Sequence, residues 1–219
     1  MSLNIELARH NMVEQQVRPW DVLDSRVLEA LGSVPREDFV PAAHRALAFA
    51  DISLPLGHGE VMMKPVIEGR VLQAVAPAPT ENVLEIGTGS GFLTACLARM
   101  AASVHGVEQH ADLADAARER LLAARVVNAT VELAEAVSGF EPKQQYDVIV
   151  VTGAVAALPQ RWREWVRPSG RLLAIVGDSP AQRATLYTRD AGGEWTEVGL
   201  FETDLPYLSH AAPPQRFVL

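Results

Sequence analysis

The sequence predicts a doubly wound, mostly parallel α/β sheet with an N-terminal helical extension and antiparallel C-terminal strands. Three observations carry that expectation. From Asn82 onward, short runs rich in Val, Ile and Leu alternate with amphipathic stretches, and near-continuous apolar strands belong to a parallel sheet covered on both faces. The first of these runs enters a glycine-rich turn, VLEIGTGSGF. The chain's 219 residues are 48% apolar, enough for a sizeable core.

The elements follow in chain order. The first fifty residues read as short helices: Asp24 caps SRVLEAL, whose Val27, Leu28 and Leu31 share a face, and Gly32 with Pro35 ends it. Next, DISLPLGHGEVMMKP (residues 51–65) holds two glycines and two prolines and reads as a long loop, of the kind that often serves function. A helical pattern resumes from Pro65 to Ala76, and APAPT separates it from the strand NVLEI. A helix from about Phe92, the strand SVHGVE, a helix from about Ala111 to Arg125 and the strands ATVEL and YDVIVVT continue the series. A helix around PQRWREWV leads to the strand GRLLAIVG, and RATLYTR with WTEVGLFE form the antiparallel finish. Residues 1–80 thus make a helical segment with a substrate-side loop and residues 81–219 a ligand-binding domain, together one compact unit.

The glycine turn specifies the ligand. Leu93, Cys96, Leu97 and Met100 fall at helical spacing, so a helix packs on the sheet directly after the turn. Glycine suits a tight strand-to-helix turn that a ligand approaches closely, and free N–H groups at the helix start are expected to face its negative end. In a dinucleotide fingerprint the third glycine would stand where this chain has Phe92. Here the turn reads Gly87, Thr88, Gly89, Ser90, Gly91, preceded by an acid, Glu85. An acid there opposes a pyrophosphate but suits an ammonium or sulfonium charge. S-adenosyl-L-methionine carries both, which favours a Rossmann-like methyltransferase sheet over a nicotinamide dehydrogenase.

Glu108 ends the second strand 21 residues after Gly87, at the sheet edge where a carboxylate can accept both ribose hydroxyls. Glu135 follows the third strand where such folds contact the adenine amino group, with Glu132 close by as the alternative. Asp147 opens the fourth strand at its far end and is assigned a structural role.

Taken together, the residues resemble the protein-L-isoaspartate O-methyltransferases. The stretches that carry the resemblance are VLEALGSVPREDFVP, AFADISLPLGHGE, VLEIGTGSGFLTACLARM, VHGVEQHADLADAARERL, YDVIVVTGA and RFVL, in order along nearly the whole chain. The resemblance implies methyl transfer from S-adenosyl-L-methionine to the α-carboxylate of L-isoaspartyl residues in damaged proteins. It also implies cofactor contacts from residues 87–91, Glu108, Glu135 and Ala136. Members usually carry Gly-Gln-Thr-Ile-Ser, one residue, then Pro before the glycine motif; this chain has Glu60, Val61, Met62, Met63 and Lys64 between Gly59 and Pro65. Two hydroxyls are replaced, and Glu135–Ala136 stands where Asp-Gly is usual. His58, Glu60 and Met63 are the substrate-side candidates. A methyltransferase of the same family with another acceptor, such as a small carboxylate, and a cofactor-binding protein without isoaspartyl activity are the alternatives.

A carboxylate acceptor is already ionised at neutral pH, so no general base is needed and no catalytic side chain is assigned. The net charge of −8 argues against a nucleic-acid surface. The six histidines show no metal-ligand spacing, so no metal is expected, and Cys96 reads as a core thiol. Trp162 and Trp165 read as core, and Arg161, Arg163, Arg167 and Arg171 as a solvated face. With no long apolar run and no export signal, a soluble cytoplasmic protein without membrane contact is expected. Oligomeric state and the nativeness of residues 1–3 are left open.

Overall fold

A computed structural model describes residues 4–214; MSL and the closing RFVL stretch lie outside the described residues. Seven strands form one sheet in the order β5-β4-β3-β6-β7-β8-β9. They are β3 (Asn82–Ile86), β4 (Ser103–Glu108), β5 (Ala129–Leu133), β6 (Tyr146–Val155), β7 (Val166–Val176), β8 (Gln182–Arg189) and β9 (Trp195–Thr203). Pairing is parallel from β5 through β7 and antiparallel at β7–β8 and β8–β9, as the apolar periodicity predicts. The chain winds outward from β3 to β5, then returns to β6 on the other side of β3. The sheet therefore changes direction between β3 and β6, and ligands of open α/β sheets bind at such a switch point.

Successive strand residues serve opposite faces. On one face Val83, Val148 and Leu173 pack with α5 (Phe92–Met100), α4 (Pro65–Val75), α2 (Ser25–Ser33) and the N-terminal residues Met12 and Val17. On the other, Leu84, Ile86, Ile149 and Leu172 pack with Trp162 and Trp165. Asp24 caps α2 as expected, its carboxylate accepting the Arg26 N–H at 2.9 Å. Arg36 of α3 (Arg36–Phe39) is fully buried. It pairs with Glu68 of α4 and donates to the carbonyls of Ala48 (2.8 Å) and Met63 (2.7 Å). One guanidinium thus joins the helical segment to the chain entering α4.

Two expectations are corrected. The long loop at residues 51–65 contains a hairpin, β1 (Leu54–Gly57) paired antiparallel with β2 (Glu60–Met62). Gly57, His58 and Gly59 all take positive φ at its tip, so the glycines that suggested irregularity instead reverse the chain tightly. The four arginines are not a solvated face either. Arg167 pairs with Asp147 and Arg171 with Glu81, Arg163 lies over Tyr187 and Trp195, and Arg161 reaches the carbonyl of Ala136. Only Arg161 and Arg163 share the short α7 (Gln160–Glu164), which Pro168 keeps from extending.

Candidate cofactor cleft

A cleft opens at the switch point, bounded by Gly87 and Gly89 of the turn, Val107, Glu108, Gln109, residues 134–137, Thr152 and Gly153. Its remaining walls come from the hairpin, through Leu56, Glu60 and Val61, and from Leu208 and Ser209. The turn holds Gly87, Gly89 and Gly91 at φ 93°, 54° and 85°, where a side chain is strained. At Gly87 a Cβ would also meet the Thr152 hydroxyl at 2.5 Å. That hydroxyl bridges to the carbonyls of Ile86 and Gly87 and fastens the turn to β6.

The turn's own N–H groups are largely taken within the protein. Gly87 and Thr88 donate to the Val107 carbonyl (2.8 and 3.3 Å), Gly91 to the Thr88 carbonyl (3.0 Å) and Phe92 to the Ser90 hydroxyl (3.3 Å). The Gly89 N–H donates to Glu108 Oε2 at 2.8 Å. The turn is pinned to the next strand, and it offers a ligand its shape more than its donors.

Glu108 is 5% exposed and accepts a second N–H, from His110, at 3.0 Å on Oε1. A carboxylate has about four lone-pair directions, so two remain for a diol in the cleft. Glu135 lines the same cleft, whereas Glu132 turns to His105 at 3.1 Å and does not. Burial raises the Glu135 carboxyl, but hydrogen bonds from Ser138 and Val137 outweigh it and hold the group below its usual range. Ala136 is buried, its carbonyl accepting from Arg161 Nη2 (2.7 Å) and Trp162 Nε1 (3.3 Å). The 135–136 turn is therefore fixed from both sides.

Glu85 stands in a smaller chamber beneath the turn, with Met62, Met63, Glu68, Thr88, Ser90 and Leu93. It is fully buried, takes the Thr94 hydroxyl on Oε2 and has no hydrogen-bond partner on Oε1 among the described residues. Burial pushes its carboxyl up to about 8, against the pull of Thr94 and with the help of Glu108 and Glu68. An entering cation would pull the carboxyl back toward its ionised form.

Because the folded value lies above the unfolded one, stability from Glu85 is complete below about pH 4.5 and is lost as pH rises toward 8. Glu85→Gln should remove this loss. Its thermal-denaturation advantage over the parent should grow from pH 5 to pH 8, to about 3 to 5 kcal/mol. An advantage independent of pH would contradict the assignment.

The hairpin distributes the substrate-side candidates. Glu60 enters the cleft, where burial and then Glu108 raise its carboxyl against His110, 3.7 Å away. Met63 is 5% exposed and faces the Glu85 chamber, outside the main cleft. His58 lies on Asp112 at 3.0 Å and lines neither space. Sequence reasoning missed Leu56, Thr152, Gly153, Leu208 and Ser209. Thr152 and Gly153 carried a signal, because they lie toward the C-terminal end of the buried strand β6. Leu208 carried none: it arrives because residues 206–211 bridge back to Ala154 and Ala156 through backbone hydrogen bonds of 2.8 to 2.9 Å.

Among the described residues, no helix is long and apolar enough to cross a membrane, and no cluster of three or more His, Cys, Asp or Glu is placed to hold a metal ion.

Comparison with known proteins narrows the reading. The sequence model of the protein-L-isoaspartate(D-aspartate) O-methyltransferase family matches residues 8–202. A protein-L-isoaspartate O-methyltransferase of Methanoculleus marisnigri is 40% identical over 174 residues, which is 80% of this chain and 79% of that one. One from Methylorubrum extorquens is 37% identical over 182 residues, 83% and 79% of the two chains. Among solved structures, a chain described as a putative Plasmodium falciparum protein-L-isoaspartate O-methyltransferase, in complex with S-adenosyl-L-homocysteine, superposes with a TM-score of 0.79. It covers 95% of this chain and 99% of that one at 18% identity, a likeness of fold. By the extent of the family match and the identity of these relatives, the chain belongs to the protein-L-isoaspartate(D-aspartate) O-methyltransferase family.

Proposed function

We propose that the chain is an S-adenosyl-L-methionine-dependent O-methyltransferase that esterifies the free α-carboxylate of L-isoaspartyl residues in proteins and peptides. The observation that carries this reading is the cleft at the β3–β6 switch point in a chain of this family, with Glu108 held in it by two backbone donors. The residues fit the cofactor: Glu108 has free acceptor capacity for the ribose, Glu135 and Ala136 line the adenine side, and Glu85 keeps an unpartnered oxygen under the turn. Gly87 and Gly89 form the cradle, and Thr88, Ser90 and Gly91 complete the turn that holds them. The bound cofactor supplies an electrophilic methyl group on a sulfonium. The protein's own task is then to orient the acceptor carboxylate and strip its water, effects that together can supply about 7 to 11 kcal/mol. We infer a repair role in the cytoplasm from the same reading, with no nucleic-acid partner.

The expected result is incorporation of tritium from methyl-labelled cofactor into an isoaspartyl peptide as a base-labile ester, with none into the matched aspartyl peptide. Absence of incorporation in both would reject the acceptor.

A second reading, the same cleft acting on a different acceptor, draws on one observation. The hairpin presents Glu60 and the apolar side chains Leu56 and Val61 to the cleft, with no hydroxyl donor. A lost hydrogen bond to an anionic acceptor costs on the order of 1 to 3 kcal/mol. Val61→Thr should therefore raise kcat/KM for the isoaspartyl peptide by roughly 5- to 100-fold if that acceptor is the natural one. Labelling of small carboxylates in preference to the peptide would favour the second reading.

A further inference from the structure

The hairpin β1–β2 is not paired with the main sheet, so no backbone ladder ties it to the body. Its base is sunk in the core through Leu54, Met62 and Met63, and the Asp51 carboxylate there accepts the Val66 N–H at 3.1 Å. Its inner face, Leu56, Glu60 and Val61, roofs the cleft. Its tip reverses through Gly57, His58 and Gly59 at φ 103°, 54° and 82° and places His58 against the first turn of α6 (Ala111–Ala123). There His58 Nε2 lies 3.0 Å from both carboxylate oxygens of Asp112. The imidazole also stacks on that of His110, with centroids 4.1 Å apart and planes 9° from parallel. His110 lies 3.7 Å from Glu60 and 3.1 Å from the Gln109 amide. The tip's side-chain attachment therefore runs through one imidazole.

We propose that the His58–His110 stack, pinned by Asp112 on one side and Glu60 on the other, is a latch that holds the hairpin shut over the cofactor cleft and sets how fast the adenosyl cofactor enters and leaves. The inference rests on the cofactor reading of the cleft. The hairpin has what a lid needs: a fixed base, an inner face over the ligand and a tip held by exposed groups that separate easily. His58 and Asp112 keep 43% and 68% of their side-chain surface in solvent, so their loss should leave folding intact. The hairpin also sits close over the site: Leu56 Cδ1 lies 3.1 Å from where a Cβ on Gly89 would be, so only glycine leaves it room, and the N–H of His110 is one of the two that hold Glu108. His58, His110 and Asp112 are accordingly positioning residues that act through the hairpin.

A latch has a kinetic signature that an ordinary contact lacks, because opening a lid accelerates both entry and exit. The test is surface-plasmon kinetics with S-adenosyl-L-homocysteine on the parent, His58→Asn and Asp112→Asn. Asparagine tolerates the left-handed backbone at position 58, so the variant removes the ring without straining the tip. Both variants should raise the association and dissociation rate constants by roughly fivefold, and Kd should change by less than about threefold. Faster dissociation with unchanged association, or no change in either, would overturn the latch. Failure of the unaltered protein to bind S-adenosyl-L-homocysteine would instead reject the cofactor reading beneath the proposal.

Discussion

Replacing Arg36 with alanine is expected to lower the unfolding free energy by about 3 to 5 kcal/mol, the usual cost of stripping one partner from a buried ion pair. Arg36 is 0% exposed and Glu68 2% exposed. Burial already pushes the Glu68 carboxyl up to about 7 with Arg36 beside it to oppose the shift. Without the guanidinium, Glu68 is left buried with no counter-charge, and the carbonyls of Ala48 and Met63 lose their donor. For a chain of this size the melting temperature should fall by roughly 6 to 20 °C. The double variant Arg36→Leu with Glu68→Leu separates charge from packing. It removes both charges together and should recover much of the loss, because a buried pair replaced by apolar side chains is often near neutral. If the single variant melts within a degree or two of the parent, the pair does not hold the helical segment to α4.

The second large effect falls on binding. Glu108→Ala should weaken S-adenosyl-L-homocysteine by about 2 to 4 kcal/mol, or roughly 30- to 1,000-fold in Kd. Two losses combine. The ribose diol loses its charged acceptor, and the N–H groups of Gly89 and His110 lose the carboxylate that fixes them. Glu108→Gln keeps one amide oxygen and should be less severe. Equilibrium dialysis of the three proteins reads the order directly: parent tightest, Gln intermediate, Ala weakest. Equal affinity in all three would remove Glu108 from the site.

The parallel sheet could be read from sequence because each buried strand is a run of Val, Ile and Leu, and each covering helix repeats its apolar residues every three to four positions. The glycine turn and Glu108 could be read for a related reason: backbone geometry at a strand end dictates the residue type. What escaped depends on contacts distant in sequence. Arg36 and Glu68 are 32 residues apart, and no local pattern marks them as partners. Leu208 reaches the cleft by a backbone bridge from the tail to β6, which imposes no periodicity on the tail. The hairpin was hidden because its strands are only four and three residues long and its tip is built from the glycines that ordinarily break strands. The occupied donors of the turn escaped for another reason: the carbonyl of Val107 and the carboxylate of Glu108 on the adjacent strand take the N–H groups of Gly87, Thr88 and Gly89, and that is visible only once β3 and β4 are side by side.

The cleft at the β3–β6 switch point is the element on which the functional reading stands, and isothermal calorimetry tests it most directly. Titrating the purified chain with S-adenosyl-L-homocysteine should give one saturable site per chain, and a nicotinamide dinucleotide at the same concentrations should give no heat of binding. Heat from the dinucleotide and none from the sulfur nucleoside would contradict the assignment of Glu85, the glycine turn and Glu108 to an adenosyl cofactor.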